Sequence, residues 1–240
     1  MEEEINKEIS EEKEKREKTM KLSVKEGSAT AFMSGAGEAY IVPYALALNA
    51  NNFQVGLLTS VVNLFGSSSQ IIGSKLGYRF ERRKLILFSV FLQATMWLII
   101  LGLGILVWKN MINEYAATIL IGLYCFYAII GNIGGPSWFS LMGEIVPEKE
   151  RGSYFSKRNK IIGIIALVVT LLAAFFLDYM KSINYVLIGF AIIFATASLG
   201  RYVSAFLLTK HYYPKDKMKK ESYFSFVQFL KKSPNNNFGK

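Results

Sequence analysis

Long apolar runs are the feature that most constrains how this chain can fold. A helix needs about 20 consecutive apolar residues to cross about 30 Å of hydrocarbon, and six segments approach that length. They are residues 28–49, 55–76, 85–107, 117–146, 161–177 and 185–208. Six such segments in a soluble protein of 240 residues would leave too little polar surface to cover them. Since unpaired backbone groups in lipid cost several kcal/mol each, the segments are predicted to be transmembrane helices.

The basic residues predict how these helices are oriented. Of the 28 Lys and Arg residues, 26 fall in the N-terminal tail, in the connections after the second and fourth segments, or from Arg201 onward. The other three connections contain only Lys109 and Lys181. Because basic residues concentrate on the cytoplasmic side of membrane proteins, both termini are predicted to be cytoplasmic. This distribution explains the net charge of +10 without nucleic-acid binding, which we do not expect.

The composition of the two ends divides the chain into three parts. Residues 1–26 hold 16 of the 46 charged residues and are predicted to form a cytoplasmic tail, either as a solvated helix or disordered. Residues 27–209 are the predicted six-helix transmembrane bundle, and residues 210–240 a predicted cytoplasmic linker. Within the linker, residues 221–232 have the apolar spacing of an amphipathic helix that lies on the membrane interface.

The residue types present exclude several kinds of site. The chain has one Cys and one His. A disulfide-stapled secreted domain and a Cys-based zinc site both need more than one Cys. A single His, at position 211 in the polar end of the chain, leaves no His cluster for a metal ion or a catalytic triad. We therefore expect no enzymatic activity and no cofactor.

Glu38 is the most informative polar residue, because it lies near the middle of the first apolar segment. A carboxylate at that depth is costly and usually faces a cavity or a partner. No basic residue lies at comparable depth, since Arg201, the nearest, falls towards the inner end of the sixth segment. Glu38 is therefore predicted to be protonated, solvated by a water-filled cavity, or bound to a cation. The alternative is a hydrogen bond across a helix pair that serves packing only.

Two other segments also contain polar residues. The second segment has Asn63, Ser67 and Gln70 at i, i+4 and i+7, so that all three share one helix face, and the fourth segment has Asn132. Such residues can simply hold helices together, at roughly 0.6–2 kcal/mol each, which is the better interpretation for Ser67. For Asn63 and Asn132, packing and contact with a solute remain equally open. The candidate residues for binding a solute or an ion are Glu38, Asn63, Gln70 and Asn132.

The first and fourth segments share a short pattern of Gly, a polar residue and a later Pro. It reads Gly37-Glu38 followed by Pro43, and Gly131-Asn132 followed by Pro136. The two segments cross the membrane in opposite directions, so the pattern predicts two inverted three-helix repeats. Interrupted helices at matching places of inverted repeats indicate a transport site. The predicted fold is thus an all-α membrane protein, a six-helix bundle built from two inverted repeats.

The connection after the second segment, GSKLGYRFERRKLIL, carries a family resemblance. It resembles the Gly-x-Leu-Ala-Asp-Arg-x-Gly-Arg-Lys loop of major facilitator superfamily transporters. The matching positions are Leu76, Arg79, Arg82 and Arg83. Tyr78 stands where that family usually has Asp, and Glu81 stands where it has Gly. Glu81 is therefore a candidate for the acid that the loop otherwise lacks.

The connection after the fourth segment, GEIVPEKERGSYFSKRN, resembles a second loop of the same family. That loop has the pattern acidic-x-x-Pro-x-x-x-Arg-Gly. In the family, both loops make and break ion pairs with neighbouring helix ends as the two bundles of the transporter rock. Together the loops imply a gating role, although basic residues that only set topology would explain the Arg count. The implied gating residues are Arg79, Glu81, Arg82, Arg83, Glu144, Pro147, Arg151, Gly152, Arg158 and Asn159.

The resemblance covers about residues 28–240 and implies the N-terminal half of a transporter with twelve spans. It implies a multi-pass protein of the cell membrane that moves a small solute by secondary active transport and alternating access, with a proton or another cation as the candidate coupling ion. The family holds its substrate between two six-helix bundles. We therefore expect a second six-helix half, either a separate chain or a second copy in a homodimer, with the present chain a split-gene product or a truncated copy. The alternative is a membrane scaffold or degenerate fragment without transport.

Overall fold

The computed structural model describes residues 2–214, with side chains from residue 5 onward, and this part of the chain is all-helical. The predicted interfacial helix at residues 221–232 lies outside the described residues. The α-helices are Glu2–Ala36 (α1), Ile41–Ala47 (α2), Asn52–Arg79 (α3), Arg82–Trp108 (α4), Ala116–Ile145 (α5), Arg151–Ser182 (α6) and Val186–Thr209 (α7).

Five of these helices, α3 to α7, are long and apolar enough to cross a membrane. The prediction of transmembrane helices is confirmed for these five. The first apolar segment is instead divided between the end of α1 and the short α2, with a 3₁₀ turn at Glu38–Tyr40 between them. Pro43 provides the physical reason, because it lacks an N–H and its ring clashes with the carbonyl four residues earlier. The fourth segment keeps its Pro136 inside a continuous α5, so the two matching Gly and Pro patterns give different local structures.

The charged tail is helical and continues without a break into the first apolar segment as α1. The tail is not solvated along its whole length, because Thr19, Ser23 and Glu26 are buried. Two hydrogen bonds tie this region to the bundle. Arg16 donates to the carbonyl of Glu144 at 2.8 Å, and Tyr154 donates to the carbonyl of Met20 at 2.9 Å.

The bundle has a regular packing pattern. Helix α3 packs mainly against α5, α1 packs against α6 and α7, and α4 packs between α5 and α7. An aromatic cluster forms the centre, in which the fully buried Trp97 lies 5.1 Å from Tyr127 and 5.2 Å from Phe194 between ring centroids. Gly37 permits this packing, since a Cβ atom there would lie 2.6 Å from the Trp97 ring.

The outer surface of the bundle is apolar. On α6, Leu172 and Phe175 are 64% and 75% exposed, and only 11% of the most apolar part of that helix is buried. A monomeric soluble protein rarely exposes a contiguous apolar surface of this extent. Hydrocarbon is therefore the solvent that this surface fits.

The connections between helices differ at the two ends of the bundle. The helix ends on either side of the α3–α4 and α5–α6 connections contain most of the Arg and Lys residues described after the N-terminal tail, and we call their side the basic end. At the opposite end, Asn49, Asn110 and Asn184 follow α2, α4 and α6 with φ of 61°, 57° and 62°. Asn is one of the few residues that adopt this left-handed conformation readily, and it commonly ends a helix in this way.

Candidate functional site

A mainly polar cavity of about 310 Å³ lies between α3, α4, α5 and the break after α1. We call it the Glu38 cavity. Three of the four predicted binding residues, Glu38, Asn63 and Asn132, line it. The fourth, Gln70, donates a 2.9 Å hydrogen bond from its amide nitrogen to the Asn132 side-chain oxygen. The residues that line the Glu38 cavity are Glu38, Val62, Asn63, Gly66, Ser67, Gln93, Tyr124, Tyr127, Ala128 and Asn132.

The break after α1 places Glu38 at the cavity. Glu38 is half-buried, and its carboxylate accepts a 2.7 Å hydrogen bond from the hydroxyl of Tyr127. Among the described residues no Lys, Arg or His nitrogen lies within the 4.0 Å of an ion pair with it. A carboxylate with a single phenol partner keeps oxygen lone pairs for a proton, a cation or a polar solute.

Asn132 is oriented by two hydrogen bonds. Its amide nitrogen donates to the carbonyl of Ala128 at 2.9 Å, and its side-chain oxygen accepts from Gln70. Pro136 has no N–H, so the backbone carbonyl of Asn132 also lacks its usual helical donor. Asn63 lines the cavity and is exposed. The cavity thus presents amide and carbonyl groups beside one carboxylate.

Sequence reasoning did not identify three polar residues of this cavity, Gln93, Tyr124 and Tyr127. Tyr124 and Tyr127 stack at 5.3 Å between ring centroids with an interplanar angle of 9°, and Gln93 is 6% exposed. Gln93 offered a signal, since it is the one amide in the 85–107 segment, which has no charged residue. The tyrosines offered none, because aromatic residues are common in transmembrane helices.

Gln93 connects the Glu38 cavity to a buried polar network. Its side-chain oxygen accepts hydrogen bonds from the Nε and Nη2 atoms of Arg201 at 3.1 and 2.5 Å. The Nη1 atom of Arg201 donates to the hydroxyls of Thr30 at 3.0 Å and Ser204 at 3.4 Å. Both hydroxyls in turn donate to the carboxylate of Glu26, at 3.0 and 2.9 Å. A continuous path of hydrogen bonds therefore leads from the cavity towards the basic end.

Arg158, one of the predicted gating residues, completes this network. Its Nη2 atom lies 3.0 Å from Glu26, and the two side chains are 10% and 6% exposed. Its Nε donates to the hydroxyl and carbonyl oxygens of Ser23 at 3.0 and 3.2 Å, and its guanidinium lies 4.6 Å from the Trp138 ring centroid. This ion pair joins α1 to α6 inside the bundle.

A second ion pair joins α4 to α5 at the basic end. Arg82, which is buried, lies 2.9 Å from Glu144. The candidate acid Glu81 instead contacts Lys84 at 3.1 Å, with both side chains exposed. Arg151 donates to the carbonyl of Gly143 in the last turn of α5 at 2.5 Å and to that of Val146, just after the helix, at 3.3 Å. In the structure, Glu144 and not Glu81 is the carboxylate that holds the loop arginine.

The remaining predicted gating residues lie at the same end. Arg83 donates to the carbonyl of Thr209 at 3.4 Å and so connects α4 to α7. Asn159 lines a second cavity described below. The other predicted gating residues, Arg79, Pro147 and Gly152, are exposed.

His211 is buried just beyond α7, and its pKa is lowered from the ordinary value of 6.5. The main cause is burial, which disfavours the charged ring. The Arg158 charge lowers the pKa of His211 further, while Glu26 raises it. The ring is thus held in its neutral form at the basic end.

The comparisons with known proteins give one match. A family model described as Major Facilitator Superfamily matches residues 27–235. The matched range contains all the predicted spans, both Arg-rich loops and every residue of the Glu38 cavity. No curated protein and no solved structure matches the chain.

Proposed function

The chain belongs to the major facilitator superfamily, and from this premise we propose that it is a secondary active transporter that moves a small solute by alternating access. The Glu38 cavity is the site at which solute or coupling ion binds. The observation that carries the proposal is the meeting of Glu38, Asn63 and Asn132 in one polar cavity of about 310 Å³. These residues come from three separate apolar segments, and polar groups inside a membrane mark substrate and ion pathways.

The packing of the bundle supports two inverted repeats, α1–α3–α4 and α5–α6–α7. If the two repeats are equivalent, α1 corresponds to α5, α3 to α6 and α4 to α7. The observed contact between α3 and α5 then corresponds to the contact between α6 and α1, which is also observed. The same correspondence converts α4–α5 into α7–α1 and leaves α4–α7 unchanged. Transporters built from such repeats bind substrate near the bilayer midplane. With the basic end cytoplasmic, the protein is a multi-pass protein of the cell membrane with both termini inside.

Glu38 is proposed as the group that responds to the coupling proton or cation. Protonation or cation binding neutralises a carboxylate that otherwise stays charged inside the membrane, where charge is costly. The change is transmitted first to Tyr127, which donates to Glu38. At the basic end, the Arg82–Glu144 pair holds α4 to α5 and keeps this half together as it rocks against the second half.

A second six-helix half is proposed to complete the transport pathway. Asn63, Ser67 and Gln70 share one face of α3, and all three are exposed. Gln70 bonds to Asn132, but an exposed amide such as that of Asn63 is unfavourable against hydrocarbon, so this face fits a polar surface better than lipid. A separate chain or a second copy supplies that surface, and the solute is then held between the two halves.

The experiment that tests the proposal is uptake into proteoliposomes with an imposed proton or sodium gradient. Radiolabelled sugars, amino acids, carboxylates and phosphate serve as the solute panel. Glu38→Gln is expected to abolish gradient-driven uptake while the protein still inserts, because an amide neither titrates nor binds a cation as a carboxylate does. Glu114→Gln is the matched control, since Glu114 is exposed in the α4–α5 connection.

Two results would contradict the proposal. Normal gradient-driven uptake by Glu38→Gln would remove Glu38 from the mechanism. The absence of uptake for every solute, with and without a coexpressed second half, would favour the non-transporting scaffold.

A further inference from the structure

A second cavity, of about 260 Å³, is bordered by α1, α4, α5, α6 and α7. We call it the Arg201 cavity. We propose that it binds a small oxyanion, a carboxylate or phosphate group, through Arg201 and Ser89. The inference goes beyond the proposed transport function, because this cavity is bordered by helices of one half only and its anion is a ligand separate from the solute held between the two halves. The lining residues that carry it are Glu26, Ser89, Gly135, Arg158 and Arg201.

The charges that border the cavity do not balance. Arg158 and Arg201 bring two positive charges, and Glu26 brings one negative charge, which is paired with Arg158 at 3.0 Å. The hydrogen-bond partners of Arg201 in the described part of the chain are the neutral side chains of Gln93, Thr30 and Ser204. A guanidinium inside a membrane protein is normally matched by an opposite charge, and among the described residues no carboxylate contacts Arg201 directly.

Arg201 also retains a donor for a ligand. A guanidinium has five N–H groups, and four of them are used in the bonds to Gln93, Thr30 and Ser204. The remaining N–H belongs to Nη2. Thr30 and Ser204 already donate to Glu26, so they act towards Arg201 as acceptors and leave its charge in surplus.

Ser89 provides an independent indication of a ligand. It lines the Arg201 cavity, is only 2% exposed, and its hydroxyl has no hydrogen-bond partner among the described residues. A buried hydroxyl without a partner is destabilising, and native structures rarely contain one. A bound oxyanion would accept from this hydroxyl and from Arg201 together.

The cavity has room for such a group because four glycines border it, three of them on α5. A Cβ atom at Gly134 would lie 2.8 Å from Ser89, whereas a Cβ atom at Gly135 meets nothing within 4 Å. Gly131 also lines the cavity. The volume is roughly nine times the approximately 30 Å³ that a water molecule occupies in the liquid. A phosphate or a short carboxylate fits this space, and a large amphiphile does not.

The test is anion-dependent thermal stability of the purified full chain in detergent. Inorganic phosphate and succinate are titrated against sodium chloride at equal ionic strength, so that general salt effects cancel. The unfolding midpoint is expected to rise with one of the two anions in a saturable way. The anion with the larger rise distinguishes a phosphate site from a carboxylate site.

Two substitutions locate the binding. Ser89→Ala is expected to leave the midpoint without anion unchanged or slightly raised, because the hydroxyl it removes has no partner. The same substitution should weaken the anion's apparent affinity by about tenfold. Gly135→Leu should fill the cavity and abolish the shift, while Gly122→Leu, on the exposed face of the same helix, should preserve it.

The outcomes separate this inference from the proposed transport function. No shift with either anion, or an unchanged shift in both Ser89→Ala and Gly135→Leu, would overturn the Arg201 site, since water then occupies the cavity or the anion binds elsewhere. Glu38→Gln should keep the anion-dependent shift. If Glu38→Gln abolishes gradient-driven uptake but neither anion raises the unfolding midpoint of the wild type, only the Arg201 site is contradicted. An anion effect without uptake of any solute would contradict only transport.

Discussion

Glu26→Gln is expected to destabilise the bundle by about 3–5 kcal/mol. Glu26 is buried on α1 and lies 3.0 Å from Arg158 on α6. Its carboxylate also accepts from Ser204 and Thr30. The substitution keeps the size of the side chain but leaves the Arg158 guanidinium buried without its counter-charge.

The expected magnitude follows from the geometry of the pair. At a separation of 3.0 Å and an effective dielectric constant near 20, two unit charges attract by about 5.5 kcal/mol. Side chains that are 6% and 10% exposed are screened little by solvent. The Arg158 contacts to Ser23 and to the Trp138 ring remain in the variant and offset part of the loss.

The purified protein is unfolded with sodium dodecyl sulfate in mixed micelles, and the unfolding is monitored by the loss of the helical circular dichroism signal. Glu26→Gln combined with Arg158→Gln removes both charges and should be more stable than Glu26→Gln alone. Glu81→Gln is the control, because Glu81 forms an exposed pair with Lys84 and such pairs contribute about 0–1 kcal/mol. A cost for Glu26→Gln no larger than that of Glu81→Gln would refute the reasoning.

Three further predictions concern other parts of the chain. Gly37→Ala should destabilise strongly, because its Cβ would lie 2.6 Å from Trp97, whereas Gly102→Ala, with open space around it, should not lower the unfolding midpoint. Asn51→Ala should cost about 1 kcal/mol in the same titration, because it removes the capping box at the start of α3. Since burial lowers the pKa of His211 below 6.5, the unfolded chain takes up the proton first, and stability present above pH 6.5 is lost as the pH falls. Thermal unfolding at pH 7.5 and 5.5 should show this loss in the wild type, and a reduced loss in His211→Leu.

Much of the Glu38 cavity could be predicted from the sequence because lipid does not solvate polar groups. Glu38, Asn63 and Asn132 come from separate apolar segments, and polar residues in that setting turn towards one another or towards a cavity. The structure brings all three to one cavity. The interruption at the first segment was also visible in the position of Pro43, but whether a Pro breaks a helix depends on neighbouring packing, as the continuous α5 at Pro136 shows.

The buried network could not be predicted in the same way. Glu26 and Arg201 lie at the ends of apolar segments, where hydropathy alone places charges at the membrane surface. Glu26 is buried and Arg201 half-buried because α1 packs along α6 and α7. The choice of Glu144 over Glu81 as the partner of Arg82 also depends on which helix ends are close in space. Tertiary packing decides each of these cases, and local sequence does not encode it.

The continuity of α1 has a mechanical consequence. Its 35 residues form one rod that starts in the charged tail and ends at the turn that holds Glu38, about 50 Å long at 1.5 Å per residue. A rigid rod of that length, tilted by about 5° about its midpoint, moves each end by about 2 Å in opposite directions. That displacement is comparable to the difference between a formed and a broken hydrogen bond. A partner that binds the tail and tilts α1 would therefore also displace the Glu38 carboxylate at the other end of the helix.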